Sequence, residues 1–219
     1  MANLLVVRPE NVSSGQEDRE DRSFIETARR AQIIECAIDA IAELGYANAS
    51  LAAIAKRAGV SKGVISYHFA GKQELIGEIA KSVIEKHSAV MVPRILAEQS
   101  AAGMLRTYIE SNLEFLGSHR KDILAVMHIA AGARDDDGQL MLGPEVTFEP
   151  AVKALERILR LGQERGEFRK FSTRVVAVTI RNAIDLLSPQ LAVNPKLDLK
   201  LYANEWATLF DLATRKSPA

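Results

Sequence analysis

The chain has 219 residues, 28 basic and 28 acidic side chains, a formal net charge of zero and 47% hydrophobic residues. This is ordinary globular usage, enough for a sizeable core, and it argues against a uniformly basic nucleic-acid binder without excluding a local patch. The single cysteine, Cys36, excludes an intrachain disulfide and fits a reducing, cytoplasmic setting, and no apolar run approaches the length of a membrane span.

Residues 1–22 hold a short apolar run at 4–7, too short for a signal-peptide core, and then the polar stretch SSGQEDREDR. They read as a disordered or weakly ordered tail, with a structured body expected from about Ser23. Ile33, Ile34, Ala37, Ile38, Ile41 and Leu44 recur at helical spacing. Cys36 lies among them and reads as a small buried hydrophobe. Gly45 is expected to stop this helix. Ser50 can cap a second helix over 51–57, and Ser61 a third, through about His68. A long helix is predicted over 72–92, closed by Pro93, and further helices near 101–117, 121–133, 146–164, 173–190 and 198–214. Alternating strand runs are missing from this reading. The expected fold is all-α: a three-helix head over 23–71 and a helical body over 72–219.

The second and third helices, joined through Ala58-Gly59-Val60, form a helix-turn-helix pattern, in which the second helix of the pair enters a DNA major groove. Ile54, Val60, Val64, Ile65 and Phe69 can make its core. Lys62, Gly63, Ser66, Tyr67 and His68 are left for the outer face or helix end. Lysine neutralises phosphate, hydroxyls bond phosphate or base edges, and glycine admits the backbone closely. Between Ser50 and Gln73 the cations are Lys56, Arg57, Lys62 and Lys72, with no Asp or Glu, a local formal charge of +4.

The stretch GYANASLAAIAKRAGVSKGVISYHFAGKQEL, Gly45 to Leu75, resembles the TetR family of transcriptional regulators. The order of Ser50, Ile54-Ala55, Ala58-Gly59-Val60-Ser61, Gly63, Phe69 and Lys72 carries the resemblance, which covers about residues 24–75. It implies an all-helical homodimer with an N-terminal DNA-binding head and a C-terminal ligand-binding and dimerisation body. The DNA contacts it implies are Ser50, Lys62, Gly63, Tyr67, His68 and Lys72. Ser66 stands beside them where the family usually has an aromatic, and His68 where tyrosine is frequent.

For the pocket that the resemblance implies, the sequence offers Tyr108, Asn112, Phe115, Met127 and His128, with Met91 and Met104 nearby. Met and Phe at this spacing also read as ordinary core. The acidic run after Arg134 lacks calcium-loop spacing and reads as a solvated loop. Apolar residues spread over a broad arc of 173–190 and 198–214, and two copies of both helices can pair as a four-helix bundle, with Ile184 and Trp206 expected in the interface.

The expected function is a dimeric, sequence-specific DNA-binding regulator, a repressor released by a small-molecule effector. Its expected partners are a palindromic double-stranded operator, that effector and a second copy, with no membrane. A helical interaction module without ligand response, or an activator of the same fold, is the alternative. Four scattered histidines and the lack of a nucleophile-elbow, phosphate-loop or zinc-protease motif lead us to expect no enzyme, cofactor or metal.

Overall fold

The computed structural model describes residues 14–216. Its elements are α1 (Ser14–Asn48), α2 (Leu51–Ala58), α3 (Lys62–His68), α4 (Lys72–Leu96), α5 (Ala101–Ser118), α6 (Arg120–Gly132), α7 (Pro144–Thr147), α8 (Glu149–Glu164), α9 (Thr173–Asp185), α10 (Leu187–Val193) and α11 (Leu199–Thr214). The only extended pairings among the described residues are two isolated bridges, Arg134 with Leu140 and Phe168 with Arg215. The fold is all-α, as the periodicities require, and no described helix is long and apolar enough to cross a membrane.

Helix α1 starts at Ser14, inside the stretch expected to be a tail; the rest of that stretch, 1–13, lies outside the described residues. Gly45 interrupts α1 where a stop was expected, with φ 75° and ψ 161°. Two other boundaries differ from the sequence reading. Helix α4 continues through Pro93 to Leu96. Pro93 is exposed there, so the missing N–H leaves a carbonyl open to water. The predicted helix 173–190 divides at Leu186 into α9 and α10, and that predicted over 146–164 divides at Phe148 into α7 and α8, with a proline in the first turn of α8.

Two hydrophobic cores organise the chain. In the first, Ile33, Ala37, Ile38 and Ile41 of α1 pack with Ile54, Ile65 and Phe69 of the helix-turn-helix, Leu75, Ile76 and Ile79 of α4, and Ala125 and Ile129 of α6. The end of α3 therefore closes a motif without closing a core. Lys86 of α4 bridges Glu35 of α1 and Asp122 of α6, at 2.7 Å each, along the same seam. In the second core, α5 is enclosed by α4, α8, α9 and α11. It buries Leu105, Tyr108, Ile109, Leu113 and Leu116 together with Thr107, Ser111 and Asn112.

At the α8 end, Gly162 accepts backbone bonds from Glu167 and Phe168 at 2.9 and 3.0 Å. The buried ring of Phe168 folds back so closely that a Cβ on residue 162 would overlap it. Gly162→Ala is expected to destabilise the protein by about 1–3 kcal/mol through overpacking, read as a lower urea midpoint with an unchanged slope.

Candidate functional site

The α2–turn–α3 unit is built from local caps. Ser50 Oγ accepts from Ala53 N at 3.1 Å and Ser61 Oγ from Val64 N at 3.3 Å. Gly59 sits in the left-handed region with φ 66°. Val60 N then donates to Ala55 O at 3.0 Å and Gly59 N to Lys56 O at 3.3 Å, a pair of bonds that ends α2 and turns the chain. Ile65 and Phe69 point into the core, so Lys62, Gly63, Ser66 and Tyr67 are left exposed on α3, with His68 half-buried at its end.

The charge of this face is smaller than the sequence count. Lys56 and Lys62 are exposed and have no ion-pair partner among the described residues. Arg57 is held by Glu43, with Asp39 at 3.9 Å. The Lys72 ammonium donates to Tyr46 O at 2.7 Å and lies 4.1 Å from the centre of the Tyr46 ring. Burial pushes its pKa down. Lys72 thus anchors α4 to the end of α1, and the free positive charge is concentrated on Lys56 and Lys62. Tyr67, 73% exposed, donates its hydroxyl to Glu26 at 3.1 Å, and that bond raises the phenol pKa.

Arg30 was not singled out by the sequence, yet it fixes the end of α3. Its guanidinium donates to His68 O, stacks 4.3 Å from the Phe69 ring centre and pairs with Glu74 at 3.4 Å. Glu74 in turn accepts from Ala70 N at 2.6 Å, which lowers its pKa. An arginine on a polar helical turn carries no sequence signal that it closes over a phenylalanine nearly forty positions away.

In the body the structure separates the five expected lining residues. Tyr108, Asn112 and Phe115 share one buried face of α5. Met127 is half-buried on α6, and His128 is exposed there, contrary to a lining role. The inner face of α6 is instead Ala125 and Ile129 against α1. What joins Tyr108 and Asn112 is Arg181 of α9. Its side chain is only 17% exposed, forks onto Asp185 and donates to Asn112 Oδ1 at 3.2 Å. Asn112 donates to Tyr108 O at 2.7 Å and to Met91 Sδ at 3.2 Å. The hydroxyls of Tyr108 and Ser111 are buried with no hydrogen-bond partner among the described residues. Each such group costs about 1–3 kcal/mol. A separate cleft of about 30 Å³ lies among Leu116, Arg120, Ile123, Leu124 and Leu191, and none of the five expected residues lines it. The loop after Arg134 is exposed, and its Asp136 accepts from Gln73 of α4 at 2.9 Å.

These caps, the left-handed turn and the solvent-facing third helix define a helix-turn-helix protein. Residues 33–79 match the bacterial regulatory proteins of the tetR family. Over 87 residues it is 36% identical to the HTH-type transcriptional regulator BetI 1 of Chromohalobacter salexigens, which covers 39% of this chain and 43% of that protein. The chain thus spans less than half the length of the curated relatives it matches. Its fold resembles that of the fatty acid degradation regulator FadR from Bacillus halodurans, at 22% identity and TM-score 0.72, over 84% of this chain and 94% of that one. It also resembles FadR from Bacillus subtilis, solved in complex with stearoyl-CoA, at 24% identity and TM-score 0.71, over 82% and 96%.

His87 lies against the same polar centre, its ring 4.8 Å from that of Phe115. Burial, reinforced by Arg181 and opposed by Asn112, holds its pKa below the ordinary 6.5. The unfolded chain therefore takes up a proton that the folded chain refuses. This group's share of stability is complete above the ordinary pKa and declines as pH falls through it, until the folded imidazole also protonates. Urea midpoints between about pH 7.5 and 5.5 are expected to fall with pH, and His87→Phe to flatten that dependence. An equally steep fall in the variant would refute the assignment.

Proposed function

We propose that the chain is a dimeric, sequence-specific DNA-binding transcriptional regulator, a repressor released by a small-molecule ligand held in its helical body. In this reading residues 23–71 act as the DNA-binding head and 72–219 as the ligand-binding and dimerisation body. The outer face of α3 carries the reading. Lys62, Gly63, Ser66 and Tyr67 face solvent together, on a short helix whose start is capped by Ser61 and which packs on a helix capped by Ser50. A Cβ at residue 63 would meet only Ser61 Oγ, at an ordinary 3.6 Å, so nothing inside the protein demands glycine there. Close approach of a DNA backbone supplies the demand. Ser50, His68 and Lys72 flank this face as further contacts, Lys72 with the donors that Tyr46 leaves free.

Dimerisation is supported by apolar residues that the subunit leaves uncovered. On α9 the inner face is Ala177, Ile180 and Ile184, while Val175 and Leu186 stay 62% and 61% exposed. On α11 the inner face is Ala203, Ala207 and Phe210, while Leu201, Leu209 and Leu212 are exposed. Two copies packed through these stripes bury them in a symmetric bundle and set two heads on half-sites about 34–36 Å apart. Ile184, expected at the interface from sequence, belongs to the interior of its own subunit. A ligand releases DNA to the extent that it prefers a body conformation with a different head spacing. The stearoyl-CoA bound by the Bacillus subtilis FadR supports a small-molecule site in a body of this fold.

Selection of double-stranded DNA from a random pool is expected to enrich a palindrome, and recovery of nothing above background at low salt would overturn the reading. Lys62→Ala is expected to reduce the salt slope of binding by about one. Gly63→Ala is expected to weaken operator binding about tenfold with the urea midpoint unchanged.

For assembly, Leu209→Glu combined with Leu212→Glu is expected to give folded monomers by light scattering. Ile184→Glu, by contrast, is expected to unfold the chain. A double variant that stays dimeric would remove α11 from the interface.

A further inference from the structure

The polar centre of the body holds two buried hydroxyls without a hydrogen-bond partner of good geometry, beside a largely buried guanidinium. Tyr108 and Ser111 are 1% and 0% exposed and sit one helical turn apart on α5, each with a hydroxyl that finds no partner among the described residues. Asn112, on the same face, already accepts from Arg181 and donates to the Tyr108 carbonyl and Met91. Arg181 uses Nε and Nη2 on Asp185 and Nη1 on Asn112, and its guanidinium also lies close enough to the Tyr108 side chain to interact with it. Its counter-ion is the weaker member of the arrangement: Asp185 is 41% exposed against 17% for Arg181, so its carboxylate can turn to water while the guanidinium stays inside. His87, the other titratable group at this centre, is held neutral by burial and by Arg181 and offers no negative charge. His119 lies beyond it, stacked on Phe115 at 4.0 Å.

We infer that Arg181, Tyr108 and Ser111 form the anchor for a carboxylate carried on an apolar ligand, the carboxylate replacing that of Asp185 on the Arg181 fork. A planar carboxylate fits the two-pronged guanidinium and supplies acceptors to both hydroxyls, whereas a cation is repelled by the Arg181 charge. The apolar part follows from what surrounds the anchor. Met91 touches Asn112 directly, and Ile95 and Met104 are half-buried beside it. Methionine repacks readily around an inserted chain. This assignment rests on the ligand-responsive reading above, for which it names the chemical class of effector.

The test uses the full chain and isothermal titration with octanoate, dodecanoate and hexadecanoate, each beside its methyl ester. At least one acid is expected to bind wild type, with its ester at least about tenfold weaker. Arg181→Met is expected to lower affinity for the acid by a similar factor and to abolish the preference over the ester. Tyr108→Phe and Ser111→Ala guard against simple loss of fold, because each removes a hydroxyl without a partner. Both are expected to raise the melting temperature of the free protein while weakening the acid. A purely structural role for the two hydroxyls predicts lower melting temperatures and unchanged affinity, and that result would overturn the inference. So would equal binding of acid and ester, or no binding of any of the acids. DNA selection on the same preparations separates the claims: operator binding without acid binding defeats this inference alone, and acid binding without operator binding defeats the regulator reading alone.

Discussion

Helix α5 is buried around most of its circumference, with solvent reaching only the stripe of Arg106, Glu110 and Glu114, and the rest of the molecule is arranged by that constraint. Away from that stripe, each polar side chain of the helix must find a partner inside. Thr107 meets this with Glu98 at 2.6 Å, and Asn112 with Arg181 and the Tyr108 carbonyl. Ser111 and Tyr108 do not. Enclosure also sets the roles of the surrounding helices. Because α9 and α11 each turn a face of small and aliphatic residues to the core that encloses α5, their opposite faces are left over, and those faces still carry valine and leucine. The polar centre and the uncovered apolar stripes are two outcomes of one packing problem.

The head is not a separate body on a tether. Its core takes in Ile76 and Ile79 from α4 and Ala125 and Ile129 from α6. Lys86 ties α4 to both α1 and α6, and Lys121 of α6 reaches Asp39 of α1 at 2.6 Å. Exposed pairs contribute little each, and the shared apolar core gives most of the stiffness. Helix α4 therefore belongs to both cores: its first turns lie beneath the recognition helix, and its last turns place Met91 on Asn112. A displacement of its far end by a ligand reaches the head through one continuous helix.

The elements were legible where local chemistry decides them. Ser50 and Ser61 act through side-chain oxygens on the backbone three residues on, and Gly45 and Gly59 through their own backbone angles, so caps and stops stand in the sequence at the positions the structure uses. Boundaries failed where burial overrides a local rule. Pro93 reads as a terminator, but on an exposed turn its lost bond is tolerated. Leu186 reads as helix interior, but the chain must turn there to send α10 beneath α6. Charge was legible as a sum and not as an arrangement: the four basic residues between Ser50 and Gln73 divide into two free and two held only because Tyr46 and Glu43 come from α1. His128, expected in the pocket, faces solvent, and Arg181, which the sequence did not single out, is carried inside, for the same reason. Helical phase alone does not say which side of α6 faces α1, nor which of many arginines is carried inside.

The magnitudes at the polar centre bear on how such a body can respond to a ligand. An unpartnered buried hydroxyl costs about 1–3 kcal/mol, and coupling between an effector site and a distant binding site typically amounts to about 1–3 kcal/mol. Relief of one or two such groups is thus of the size needed to shift a conformational equilibrium, without any large new interface. A fully satisfied core at α5 would be more stable and would leave a ligand little to gain by entering. Tyr108 and Ser111 hold part of that free energy in the unliganded fold, next to a guanidinium that stays charged at any accessible pH. The imperfection sits on the helix that packs against α4, α6, α8, α9 and α11, so a change there has a direct path to both α4 and α9.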